Sequence, residues 1–349
     1  MAYKRSNGKL QRRRKMEPAV QTITIETPTA SAGTVTTSYL DISQAASILN
    51  RRFYRQGINW VVSGFKIFSG VTGSVTISKL PETWVMKNAW VKGMEHWRKM
   101  IDEAADEGES LKGRFMDFKI YADAEHHDRG FLGNLLPLVY DKPIAVPAVT
   151  VQANPGKWQS SKYVIPDTTL GSTGGIRNRE IIATGTNYPG ASTATGLDAV
   201  SLIEGYAASR ALPYQKDPNT PADARDTVAG TPENWLGALF NEGVRQSDEV
   251  IEDMTTENNI APYPFEGDGT SVDTMYPGGA NQLPGLQVHD VCTITGTTVG
   301  GMTYGKGGTF GCGLVRFDHE AGSTGGTLLI QVDLVPGNHR GYMCEPMGA

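Results

Sequence analysis

Seven basic side chains crowd the first fifteen residues: Lys4, Arg5, Lys9, Arg12, Arg13, Arg14 and Lys15, with no acidic residue among them. Cations at that density suit the replacement of condensed counterions on a nucleic-acid backbone, though basic tails also serve as nuclear-import signals and as ribosomal or chromatin tails. Such binding is blind to base sequence and falls steeply with salt. A second cluster, Arg51-Arg52-Phe53-Tyr54-Arg55, interleaves guanidinium groups with rings. Arg51, Arg52 and Arg55 are placed to hold phosphates while a ring stacks on an unpaired base. The alternative is a loop whose Phe53 and Tyr54 enter the core while the arginines face water.

Other patterns carry less. Gly300 to Lys306 (GGMTYGK) nearly matches a phosphate-binding loop, but Gly307 stands where the motif needs Ser or Thr, and no helix start follows. It is expected to be a plain glycine loop. His126, His127 and Asp128 are adjacent, and on an extended chain neighbours point to opposite faces, so a surface turn is expected and not a metal site. Cys292, Cys312 and Cys344 form neither a C-x-x-C pair nor an even set, which fits small buried or strand-facing residues in a reducing compartment. No nucleophile elbow, zincin signature or thiol–histidine pairing is visible. The expectation is a non-enzyme with no catalytic residue, no metal and no cofactor.

The whole chain of 349 residues carries a formal charge of −5, from 32 basic and 37 acidic residues. Setting aside the seven cations at the start leaves 25 basic against 37 acidic, or −12. A cationic tail on an anionic body calls for a polyanion that only the tail meets. No apolar run is long enough to span a bilayer, and no apolar region follows the basic start as a secretory signal requires. A mitochondrial presequence is disfavoured because Ser6-Asn7-Gly8 offers no apolar face.

These residues need a scaffold, and the texture from Val20 onward is β. Ile23 and Ile25 alternate with polar neighbours. Trp60 to Phe68 is apolar on both faces, with Val61, Phe65 and Ile67 expected on one side and Trp60, Val62 and Phe68 on the other. Val75 and Ile77 form an antiparallel neighbour. Trp84, Trp90, Met94, Trp97 and Ile101 recur at helical spacing, as a core seam. Strand texture returns at Met116, Phe118 and Ile120, at Val149 and Val151, at Tyr163 to Ile165 and at Ile181 to Ala183. Asp198 is expected to cap a short helix through Leu202 and Tyr206, and Leu236, Phe240, Val244 and Ile251 mark another. Val291 to Thr295, Leu314 to Phe317 and Thr327 to Val335 are strands again. Runs of strands broken by helical inserts argue for an all-β sandwich with decorated loops. The expected division is a disordered basic arm over 1–18 and a shell domain over 19–349, with helical insertions near 82–107 and 198–255.

The segments VTISKLPETWVMKNAWVKGMEHW, from Val75 to Trp97, and LLIQVDLVPGNHRGYMCEP, from Leu328 to Pro346, together with the basic arm, resemble capsid proteins of small circular Rep-encoding single-stranded DNA viruses. Among these the bacilladnavirus-like group, whose coats are related to those of some RNA viruses, is a candidate. The resemblance implies a viral jelly-roll sandwich of two four-stranded antiparallel sheets, with helices inserted in the inter-strand loops. It further implies an icosahedral shell of sixty or more copies and an internal arm that packages the genome, with the virion as location; the basic arm read as a nuclear-import signal places assembly in the host nucleus. Sixty arms would bring about 420 positive charges to the inner wall. Expected partners are thus further copies of the chain and single-stranded DNA, with RNA left open and no membrane. Two rivals stand beside this expectation: a non-viral nucleic-acid-binding β protein, and a carbohydrate-binding or hydrolytic sandwich with a basic targeting tail.

Overall fold

The computed structural model describes residues 17–105, 117–141, 149–167, 175–208, 285–295 and 301–348. The seven arm cations, Met116, Gly300 and the helix expected through Leu236 and Ile251 lie outside these residues. Period-two sequence becomes β1 (Thr22–Glu26), β2 (Val35–Asp41), β3 (Ile58–Phe68) and β4 (Gly73–Lys79). Four short strands follow, β5 (Leu138–Asp141), β6 (Val149–Gln152), β7 (Tyr163–Asp167) and β8 (Gly175–Ile182), then β9 (Ala199–Ser201). The C-terminal part supplies β10 (Gln287–Ile294), β11 (Met302–Phe310), β12 (Leu314–Ala321) and β13 (Leu329–Leu334). It ends with β14 (Pro336–Gly337), β15 (Gly341–Tyr342) and β16 (Cys344–Pro346). Helices are α1 (Ile42–Asn50), α2 (Trp84–Ala105), α3 (Ala124–Arg129) and α4 (Leu202–Ala208).

The molecule is mostly β, with several antiparallel sheets. One runs β1-β13-β3-β11, and another runs β10-β4-β12-β2. Ile23, Ile25, Phe65, Ile330 and Val332 of the first share one buried cluster with Leu40, Val75, Ile77, Val315 and Phe317 of the second. Each such side chain contributes roughly 1.5–3 kcal/mol relative to exposure. Phe65 sets its ring edge-on to Phe317 across the layers, with centroids 5.8 Å apart. The first sheet exceeds four strands, because β16 pairs with β3 at Trp60, Asn59 and Ile58, beyond the end of β13. Small sheets β14-β15, β5-β6 and β7-β8-β9 stand apart from these.

The phase expected for β3 needs correction. Trp60 and Val62 point inward together with Phe65 and Ile67, while Val61 and Phe68 are half-buried. Ser63 is the cause: opposite it, β13 passes from Asp333, paired with Gly64, straight to Leu334, paired with Val62. One extra residue in β3 flips the parity of everything beyond it. The GGMTYGK stretch also differs from expectation, since Met302 to Lys306 lie within β11. Gly307, directly after it, serves close packing: a Cβ there would sit 2.2 Å from the Ser63 carbonyl oxygen.

α2 follows the tryptophan spacing, and Trp90 and Trp97 are buried against Phe118, Ile181 and Leu202. Trp84, in the first turn, is exposed. Phe118 and Ile120 are buried without joining a ladder. Here the Gln56 carboxamide replaces a neighbouring strand, accepting from Ile120 N at 2.7 Å and donating to Ile120 O at 3.1 Å. Asp198 does not cap α4. Three strand residues intervene, and its carboxylate pairs with Arg179 at 2.8 Å.

His126 and His127 are buried on α3 and do not form a surface turn. His126 Nδ1 accepts from Ala122 N at 3.1 Å, which leaves Nε2 to donate to Asn134 Oδ1 at 2.8 Å. The three cysteines are free thiols, with Cys292 and Cys312 buried. Among the described residues no helix is long and apolar enough to cross a membrane, and no three metal-ligating side chains are grouped.

Candidate nucleic-acid interface

The second basic cluster sits where α1 ends. Asp41 starts that helix by accepting from Ser43 N at 2.9 Å and Gln44 N at 3.2 Å. Arg51 stops it in a left-handed conformation, φ 52°, with its N–H on the Ser47 carbonyl. The chain then turns so that Arg51, Arg52, Phe53 and Arg55 are exposed and Tyr54 is buried. Tyr54 is the anchor: its hydroxyl donates to Arg340 O at 3.0 Å, and its ring packs on Trp60 and Tyr342. The aromatic pair is therefore divided, Tyr54 to the core and Phe53 to the surface, where it is 48% exposed.

Tertiary structure adds residues that no local pattern connects to this cluster. Trp158 lies 6.0 Å from the Phe53 ring, and Lys119 Nζ sits 4.6 Å from the Trp158 centroid and 5.5 Å from that of Phe53. Lys119 is held by Asp117 at 2.6 Å. Arg340 donates to the Phe53 carbonyl at 2.7 Å. Trp158 is fixed from behind, because its Nε1–H donates to Asp41 Oδ2 at 3.0 Å, beside a second donor, Gln56. Burial pushes the Asp41 carboxyl up to about 6, against the pull of these four hydrogen bonds. The residue that caps α1 thus also steadies the ring beside Phe53.

The root of the arm reaches the same place. Glu17 forms an ion pair with Arg52, Val20 N donates to Asn50 Oδ1 at 2.9 Å, and Gln21 Nε2 donates to Gly341 O at 3.3 Å. Gly341, at φ 100°, permits this approach; a Cβ there would lie 2.8 Å from Glu17 O. The residues that follow the basic run in sequence, Glu17 to Gln21, thus contact the region of the second basic cluster.

A different buried cluster could suggest acid–base chemistry. His127 Nε2 lies 3.0 Å from Glu180 Oε2, while Ser160 Oγ and Thr195 Oγ1 donate to the same carboxylate at 2.6 and 2.8 Å. Burial alone would raise the Glu180 pKa, yet these partners hold it below the usual value. A carboxylate so fully occupied ties α3 to β8 and the 192–195 turn, and is poorly suited to accept a substrate proton.

Compared with known proteins, the chain matches no family model, no curated protein and no solved structure.

Proposed function

We propose that this chain is a structural capsid subunit that assembles into an icosahedral shell and packages single-stranded DNA through its basic arm. Strand order is the observation that carries the reading. Counting β1–β4 and β10–β13 as strands one to eight, the facing sheets run 1-8-3-6 and 5-4-7-2. That order supports reading the two sheets as a double Greek-key jelly roll, an architecture used by viral capsids. A rigid sandwich with long loops offers broad lateral surfaces, and closed symmetry buries them against identical copies. Exposed apolar side chains outside the sandwich strands, Leu132, Tyr140 and Ile176, supply contact area for such neighbours.

The contact of Glu17 with Arg52, beside Arg340, supports the packaging role, because the basic run directly precedes Glu17 in sequence and the Arg51–Arg55 cluster is exposed there. Seven backbone-binding charges do not sense a 2′-hydroxyl, so RNA is an equivalent cargo on this physics. Deletion of residues 1–15 tests the proposal: folding and assembly should persist, while the ratio of absorbance at 260 to 280 nm falls to that of protein alone. Particles with an unchanged ratio would refute arm-driven packaging, and a chain that light scattering finds solitary under all assembly conditions would refute the capsid role.

A further inference from the structure

β11 ends its sheet: it pairs with β3 on one side, and among the described residues no strand pairs with it on the other. Val288, Val291 and Tyr304 are exposed on β10 and β11. An open edge with apolar side chains beside it is a template on which another chain can add a strand. At the opposite ends of the two sheets, backbone covers the edges: Ile25 of β1 bridges to Pro137, and Leu135 N donates to Tyr39 O of β2 at 2.7 Å. At β11, side chains take that part.

β10 supplies them. Its register against β4 slips by one residue between Val288 and Asp290, and the bulge turns His289 and Asp290 together toward β11. Asp290 Oδ2 accepts from Lys306 N at 2.8 Å, and His289 Nε2 donates to Lys306 O at 3.0 Å. Both outward backbone groups of Lys306 are therefore taken. The Cys292 thiol lies 3.7 Å from Asp290 Oδ2 and 3.8 Å from Tyr304 O, so its one proton serves one or the other. Lys306 Nζ adds a loose contact with Asp290 Oδ1 at 3.8 Å. Glycine makes room for this reach: a Cβ on Gly308 would sit 2.8 Å from His289 Cε1, and one on Gly305 3.3 Å from Cys292 Sγ. The Phe310 ring, edge-on at 5.0 Å, fixes the imidazole further.

We propose that His289 and Asp290 form an autoinhibitory clasp on the β11 edge, which denies that edge to a strand from a second copy of this chain. The inference stands apart from the capsid reading, because strand addition threatens any β protein with an open edge. Asp290→Ala removes the acceptor. In the full-length variant at low concentration, the Lys306 amide should exchange with deuterium about tenfold faster than in the parent, measured by nuclear magnetic resonance. At rising concentration the variant should form assemblies that bind thioflavin T, which the parent does not. Asp290→Asn keeps an acceptor oxygen and should behave as the parent in both measurements. Lys306→Pro added to Asp290→Ala removes the edge donor without taking a bond from the β3 ladder, and should suppress the assemblies. Aggregation of unfolded chains would persist in that double variant. Should Asp290→Ala fail to fold, His289→Ala frees the Lys306 carbonyl and is read by the same assemblies and the same proline control. Unchanged Lys306 exchange in a folded Asp290→Ala variant, or assemblies that survive Lys306→Pro, overturns the inference.

Discussion

Asp41 accepts four hydrogen bonds inside the protein, from two backbone amides of α1, from Gln56 and from Trp158. Asp41→Ala removes the helix cap and strands two buried donors, so urea denaturation should show a loss of roughly 3 kcal/mol or more. His126 makes a second prediction, in pH. Burial lowers its pKa to about 3, while the unfolded chain titrates near 6.5. The unfolded state therefore binds the proton first as pH falls, and stability drains away between about pH 6.5 and 3. Asp41, with its raised pKa, contributes the opposite slope between about 4 and 6. A His126→Gln variant compared with the parent isolates the histidine, and its urea midpoint should fall less steeply with acid. At the surface, Phe53→Ala should leave stability nearly unchanged and weaken single-stranded DNA binding by about 1–3 kcal/mol for one stacked base, measured by fluorescence anisotropy. Unchanged affinity would place Phe53 outside the interface.

Among the elements, β13 and α2 were legible because one environment governs their whole length. Ile330, Val332 and Leu334 alternate without interruption, and Trp90 and Trp97 repeat at helical spacing. β3 was legible as a strand but not in phase, because the bulge at Ser63 exists only opposite β13. α3 has six residues, too few for a periodic signal, so two buried histidines read as a turn. α1 leaves no local signature of its own, because Gln56 and Trp158, the side chains that complete the bonding of its capping Asp41, lie outside the helix. Gly307 makes the same point energetically. Gly307→Ala puts a methyl into the Ser63 carbonyl, and either β3 or β11 must shift. A loss of about 1–3 kcal/mol is expected in thermal or urea unfolding, where an exposed strand glycine would gain from alanine.

For the whole molecule, charge is partitioned between a basic leader and an anionic body, and on the function proposed this sets the salt response. Single-strand binding weakens by about 0.7 logarithmic units per phosphate contact for each tenfold rise in salt. Seven arm cations then account for a slope of up to about 5, and filter binding across a salt series should lose that much when residues 1–15 are removed. A slope that stays unchanged would mean that the arm makes no backbone contacts. Composition and order along the chain determined the β texture, the α2 seam and the density of cations at the start, because each is a property of neighbours in sequence. Only tertiary structure decided that Glu17 reaches Arg52 and that Lys119, Trp158 and Arg340 surround Phe53. These partners are separated by tens to hundreds of residues, and the contacts between them exist only once the sheets have packed.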